Sequence, residues 1–80
     1  MAMKRIVRLC DLERDQNGHV ASIQTKTIQA LHQLMGAGLL PNTQVNVVQN
    51  DSRHILFFAG FDELAVSREI ASEVLVELDK

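Results

Sequence analysis

The chain has no tryptophan and no tyrosine, and its only aromatic residues are Phe57, Phe58 and Phe61. A domain of 80 residues with so few aromatic side chains has to build its core from aliphatic ones. The same shortage argues against a module that reads proline-rich peptides, because such grooves are lined by aromatic residues.

Cysteine and long apolar runs are equally scarce. A single cysteine, Cys10, excludes an internal disulfide and fits a reducing compartment. No stretch approaches the roughly 20 apolar residues that span a membrane, and the N-terminus lacks the apolar run of a signal peptide. We therefore expect a cytoplasmic protein with no direct membrane insertion.

Positive charge is also limited. The formal net charge is −2, and the one basic cluster is Lys4, Arg5 and Arg8 beside the N-terminus. Nucleic-acid binding is disfavoured, because phosphate neutralisation by a basic surface supplies much of that affinity. The sequence shows no repeat, linker or low-complexity tract, so residues 1–80 are interpreted as one domain.

No group of residues has the spacing of a catalytic or metal site. The soft ligands Cys10, His19, His32 and His54 form no C-x-x-C or H-x-x-x-H pattern, whereas a structural zinc site needs four converging ligands. No histidine is spaced to activate Ser67, which is better placed to cap a short helix. We expect no enzyme activity, no metal or cofactor site and no small-molecule substrate.

Alternating and helical patterns predict one helix among short strands. The helix begins after Thr25 or Thr27, presents Ile28, Leu31, Leu34 and Met35 on one face, and ends at Gly36 and Gly38. The strands are predicted at residues 19–24, 44–49, 54–59, 61–66 and 74–77.

Smaller features complete this prediction. Arg14 to Gly18 is interpreted as a polar turn that ends in Asn-Gly, a composition typical of a hairpin or tight turn. In the second strand, Val45 and Val47 are expected to share a face with Gln49. A helical turn after Ser67 is expected to direct Arg68 outward. The fold class predicted is mostly β with one short α-helix (α+β), a small partly open β-barrel with the helix inserted between the first and second barrel strands.

The order of these motifs is similar to that of the FeoA family, from about Leu9 to Glu77. The residues at the corresponding positions are Leu34, Gly38, Leu39, Pro41, Asn42, Thr43, Val45, Val47, Ile55, Glu63, Leu64, Ala65, Val66, Ile70, Ala71, Val74 and Val76. Two positions depart from the family pattern: Asn42 replaces the usual glycine, and Ala37 stands where leucine is common. The resemblance implies an SH3-like barrel.

The resemblance also implies a function. FeoA-like proteins are small cytoplasmic accessory proteins of bacterial ferrous iron uptake, so the expected partner is the cytoplasmic domain of a FeoB-like membrane transporter with a GTPase. The expected contact residues are Leu34, Leu39, Leu40, Pro41 and Asn42, on the helix and its exit turn. The other interpretation of the three leucines is that all of them belong to the core. The alternative is the C-terminal SH3-like regulatory domain of a metal-dependent, DtxR-type transcriptional repressor.

Overall fold

The computed structural model describes residues 5–78, which form six strands, two helices and a 3-10 turn at Leu9–Asp11. The helices and strands, in chain order, are β1 Ile6–Arg8, β2 Asn17–Ile23, α1 Ile28–Gly36, β3 Gln44–Asn50, β4 His54–Ala59, β5 Asp62–Ser67, α2 Arg68–Ala71 and β6 Val74–Leu78. All strand pairs are antiparallel, in the order β1-β6-β2-β3-β4-β5. The predicted fold class is confirmed: an open, mostly β sheet with one substantial helix.

The described part of the chain contains one strand that the sequence did not indicate. β1 pairs with β6 through Val7 and Val76, and it lies at the edge of the sheet opposite β5. Three residues are too few to show an alternating pattern in the sequence. The segment is a strand because it pairs with the edge of β6. Helix α1 lies between β2 and β3, which are the first and second strands of the prediction.

Two bulges bend the sheet. The pairing shifts after Val20 in β2 and after Val47 in β3, so that Ala21 and Val48 are the extra residues. A bulge reverses the alternation that follows it, and Gln49 is therefore exposed while Asn50 is partly buried. The expectation that Gln49 shares a face with Val45 and Val47 is wrong for this reason.

The core is aliphatic, as predicted, with Phe57 as its single aromatic side chain. The 3-10 turn and its end contribute Leu9 and Leu12, and α1 and its exit contribute Leu34 and Leu39. Burying one such side chain fully stabilises the fold by about 1.5–3 kcal/mol. The remaining buried residues come from the strands and α2: Val20, Val45, Val47, Ile55, Ala59, Ala71, Val74 and Val76.

Both ends of α1 are capped by the residues that the sequence pattern indicated. The Thr27 hydroxyl accepts a hydrogen bond from the backbone N–H of Ala30 at 3.2 Å. At the other end, Gly38 has a φ of 98° and donates to the Met35 carbonyl. The Leu39 N–H donates to the Leu34 carbonyl at 3.0 Å, which completes a Schellman motif.

The turn predicted over Arg14 to Gly18 is present at Arg14 and Asp15, where Asp15 has a φ of 70°, but its extension to Asn17 and Gly18 is wrong. Both residues lie in β2, and Gly18 pairs with Val45 on one side and Leu78 on the other. A Cβ atom at Gly18 would lie 2.6 Å from the Glu77 carbonyl oxygen and 2.6 Å from Val76 Cγ1. The glycine is required because two neighbouring strands approach closely there.

Candidate functional site

The exit of α1 is a tight turn over Leu40, Pro41, Asn42 and Thr43. The Thr43 N–H donates to the Leu40 carbonyl at 3.0 Å, and Asn42 has a φ of 73°. A proline followed by a residue with positive φ is the arrangement of a type II turn. Asparagine therefore preserves this turn where the family usually has glycine.

Side-chain and backbone hydrogen bonds hold the exit turn against the sheet. The Thr43 hydroxyl accepts from the Leu40 N–H at 3.2 Å and donates to the Gly38 carbonyl at 3.3 Å. The Asn42 N–H donates to the Val20 carbonyl at 2.8 Å, and the Val20 N–H donates to the Thr43 carbonyl at 2.8 Å. The turn thus presents its exposed side chains from a fixed backbone.

The structure divides the five predicted contact residues into two groups. Leu40 is 42% exposed, and Pro41 and Asn42 are also exposed. Leu34 and Leu39 are 5% and 0% exposed, so the expectation that they anchor a partner directly is wrong. The physical reason is the Schellman motif, in which Leu34 and Leu39 pack against each other beneath the C-terminal end of α1.

The outer surface of α1 is more apolar than a helix with a fully buried apolar face would be. Of the predicted apolar face, only Leu34 is buried, whereas Ile28 is 72% exposed and Met35 is 42% exposed. Ile28 and Met35 are seven residues apart and therefore project from the same side of the helix. Their spacing fits the predicted apolar face, but at these two positions that face is turned to solvent and not to the core.

A second apolar surface lies at the hairpin between β4 and β5. Phe61 is fully exposed at the turn and Phe58 is 41% exposed. Together with Gln44 and Asn46 they border a depression of about 320 Å³. No sequence pattern distinguished these two phenylalanines from the buried Phe57.

Arg68 does not point outward as predicted. Its guanidinium donates to Asn50 Oδ1, to the Asp51 carbonyl at 3.1 Å and to the Cys10 carbonyl at 3.2 Å. The first residue of α2 is therefore tied to the 3-10 turn and to the β3–β4 turn. This network is structural, because its acceptors are backbone and amide oxygens.

Two titratable groups near this network have shifted pKa values. Partial burial, with the nearby Asp11 carboxylate, raises the pKa of the Cys10 thiol. The backbone N–H groups of Arg53 and His54 donate to the Asp51 carboxylate, both at 3.0 Å, and lower its pKa. Cys10 consequently stays protonated at neutral pH, which disfavours a nucleophilic role.

The histidines and acids do not converge within residues 5–78. His19 lies 3.8 Å from Glu77 across the β2–β6 pair, while His32 and His54 are exposed elsewhere. In that range no three histidine, cysteine, aspartate or glutamate side chains are grouped so that they could hold a metal ion. No helix in the same range is long and apolar enough to cross a membrane.

The sheet order, the helix between β2 and β3, and the capped exit turn define a small SH3-like domain. A family model described as the FeoA domain matches residues 7–78. The chain belongs to the FeoA domain family. No curated protein sequence matches the chain closely enough to count as a relative.

Solved structures share the fold at low sequence identity. An iron uptake regulatory protein (FeoA) is 23% identical, with 91% of this chain and 96% of that chain covered and a TM-score of 0.83. The FeoA protein from Chlorobium tepidum is 19% identical, with 92% and 71% covered and a TM-score of 0.82. A manganese-dependent transcriptional repressor is 15% identical, with 98% and 44% covered and a TM-score of 0.88. The chain thus spans less than half of that repressor.

Proposed function

We propose that the chain is an accessory protein of ferrous iron transport that binds the cytoplasmic domain of a FeoB-type transporter GTPase. The observation that carries this proposal is the apolar surface of α1 and its exit, where Ile28, Met35 and Leu40 are 72%, 42% and 42% exposed. A surface helix usually turns such residues toward the core. Apolar side chains presented to solvent on a capped helix are suited to contact another protein.

The exit turn supports this surface. Leu40, Pro41 and Asn42 project from a backbone that is hydrogen-bonded to β2, so little conformational freedom is lost when a partner binds. Leu34 and Leu39 are buried and anchor the C-terminal end of the helix in the core. The contact is small, and we therefore expect weak or transient binding.

The test is a calorimetric titration of the chain with the cytoplasmic domain of its FeoB-type transporter, with and without GTP. Met35→Asp and Leu40→Asp place a charge on the proposed surface. Each should weaken binding about tenfold, because an apolar group at the centre of an interface contributes strongly to affinity. Phe61→Asp is the matched control, since it places the same charge on an exposed apolar residue at the β4–β5 turn.

Two results would contradict the proposal. Absence of saturable binding in every nucleotide state would remove the transporter as the partner. Binding that is lost in the Phe61 variant but kept in the Met35 and Leu40 variants would move the contact to the hairpin. Circular dichroism spectra should be identical for all three variants, because each substitution is at a surface position.

A second candidate function is the C-terminal regulatory domain of a metal-dependent repressor. It is favoured by one observation, that the manganese-dependent transcriptional repressor covers 98% of this chain at a TM-score of 0.88. The reading frame of the gene provides the test. A DNA-binding domain encoded upstream in the same frame would support the repressor, and a separate frame beside a membrane GTPase would support the transport protein.

A further inference from the structure

Strand β5 has one side without a partner strand among residues 5–78. It lies at the end of the sheet order and pairs only with β4. The connection is a two-residue turn, Gly60 and Phe61, in which Gly60 has a φ of 64°. Glycine with positive φ at the first position of such a turn is typical of a type II′ hairpin, whose flanking residues form a hydrogen-bonded pair.

This turn fixes which backbone groups of β5 face away from β4. Ala59 and Asp62 flank the turn, so the residue pairs alternate from there between hydrogen-bonded and non-hydrogen-bonded. Glu63 and Ala65 fall in non-hydrogen-bonded pairs. Their N–H and C=O groups therefore point to the open side of the strand, and their side chains are exposed.

An apolar groove of about 370 Å³ runs along this open edge, between β5 and α1. Leu64, Ala65 and Val66 all line it. Successive side chains of a strand point to opposite faces of the sheet, so a groove on one face would not be lined by three consecutive residues. We infer that the groove follows the edge of β5. On the helix side it is lined by Ala30, Leu34 and Ala37, two of which are small. Leu34 is 5% exposed and forms part of the floor.

The groove is separate from the α1 surface described above. Ala30 and Ala37 project from one side of the helix, and Ile28 and Met35 project from nearly the opposite side, because residues two positions apart differ by about 200° around the axis. A ligand in the groove and a partner on the outer surface could bind without competing. The two proposals can thus fail independently.

We propose that an extended segment of a partner protein binds in this groove by adding a strand to the β5 edge. Glu63 and Ala65 are two residues apart, which is the spacing at which an added strand forms backbone hydrogen bonds with an edge strand. Every second side chain of the added segment would enter the groove between β5 and α1. The segment carries small apolar residues toward Leu34 and Ala37. It carries a lysine or arginine where it lies beside Glu63.

Charge is the reason for the basic residue. Asp62 and Glu63 directly precede the groove residue Leu64 at the hairpin end of β5. Both are exposed, and neither forms an ion pair within residues 5–78. A carboxylate on an edge strand discourages indiscriminate strand pairing and selects a partner of opposite charge. Gln33, His54 and Ser67 are the polar residues that line the groove.

The test uses two acetylated hexapeptides of alternating valine and threonine, one ending in two lysines and the other in two glutamates. Titration is followed by NMR, together with hydrogen exchange of the Ala65 amide, which has no strand partner before binding. We expect saturating shifts at Glu63–Val66 and along α1, slower exchange at Ala65, and binding of the glutamate peptide about two- to fivefold weaker.

Two variants make this test specific. Glu63→Lys should reverse the preference between the peptides while leaving the fold unchanged, since the side chain is exposed. Ala65→Pro removes the outward N–H without removing a bond to β4, and should abolish binding. The proposal is overturned if neither peptide shows saturable binding, or if the shifts lie away from β5 and α1. It is also overturned if the β5 signals change with protein concentration alone, because the occupant would then be a second copy of the chain.

Discussion

Arg68 and Asn50 donate hydrogen bonds to the same backbone oxygen, the carbonyl of Cys10. Arg68 Nη2 lies 3.2 Å from it and Asn50 Nδ2 lies 3.1 Å from it. Asn50 also donates to the Leu12 carbonyl at 2.6 Å and accepts from Arg68, which reaches the Asp51 carbonyl as well. Two side chains thereby join the 3-10 turn, the end of β3 and the start of α2.

Replacing Arg68 should destabilise the fold. Arg68→Ala is expected to lower the free energy of unfolding by about 2 kcal/mol, because hydrogen bonds from a charged group contribute more than neutral ones. Arg68→Lys should lose most of the same amount, since an ammonium group cannot reproduce the planar fork of the guanidinium. Urea denaturation monitored by circular dichroism measures both.

A double-mutant cycle shows whether the two side chains act together. The loss in Arg68→Ala combined with Asn50→Ala should be smaller than the sum of the single losses, because the residues share an acceptor. Arg14→Ala, at an exposed position, controls for the removal of one positive charge. Full stability in Arg68→Lys would show that the guanidinium geometry is not required.

The close approach of strands at Gly18 gives the next prediction. Gly18→Ala should lower the free energy of unfolding by about 1–3 kcal/mol, because the added methyl group would lie 2.6 Å from both the Glu77 carbonyl oxygen and Val76 Cγ1. Gly36→Ala is the matched control, since nothing lies within 4 Å of its added Cβ. The control should be neutral or stabilising by up to about 1 kcal/mol, as alanine favours helix.

Equal stability of the Gly18 and Gly36 variants would contradict the steric explanation. Thermal unfolding monitored by circular dichroism can distinguish the stabilities of the two variants, because a change of 1 kcal/mol in the free energy of unfolding shifts the midpoint by about 4–8 °C in a domain of this size.

These examples show which parts of the fold local patterns could predict. The α1 cap at Thr27, the strand at His54–Ala59 and the turn at Gly60 follow from spacing and residue type, and all are observed. The prediction that the turn after Arg14 reaches Gly18 is wrong, because the same glycine that favours a turn also permits a close approach of strands. Nothing near Arg68 in the sequence identifies Asn50 and Cys10 as its partners, since they are distant along the chain.

The candidate site was predictable in part. Leu40, Pro41 and Asn42 are exposed, as a contact surface requires, and their role in binding stays a prediction. The burial of Leu34 and Leu39 agrees with the other interpretation, in which these leucines belong to the core. A glycine at position 38 supports that interpretation, because it predicts a Schellman motif in which the two leucines pack together. The exposure of Ile28 could not, since it depends on how a nine-residue helix lies across the sheet.

The left-handed conformation of Asn42 supplies a prediction at the exit turn. Asn42→Gly should preserve the turn, while Asn42→Ala should lower the free energy of unfolding by about 1 kcal/mol, because a Cβ without a compensating polar group disfavours positive φ. Urea denaturation of the two variants provides the comparison. A more stable alanine variant would show that the turn changes its conformation readily.

Acid should weaken the turn between β3 and β4. The Asp51 carboxylate accepts from the backbone N–H groups of Arg53 and His54, and these bonds lower its pKa below the ordinary value of 3.8. The unfolded chain therefore takes up this proton before the folded one does. The stability from Asp51 is complete above the ordinary pKa and is lost as the pH falls through the lower, folded value.

Asp51→Asn separates this charge from the rest of the acid response. The variant should be less stable than the natural chain at about pH 6.5. The difference should shrink as the pH falls below the ordinary pKa of 3.8, because the unfolded chain takes up the proton there first. Measurements at about pH 6.5 and about pH 3 span this change. Urea midpoints at the two pH values measure the change. Asp62→Asn, at an exposed carboxylate, controls for the loss of one negative charge. A difference between the Asp51 variant and the natural chain that is unchanged by pH would show that the turn depends on the shape of the side chain and not on its charge.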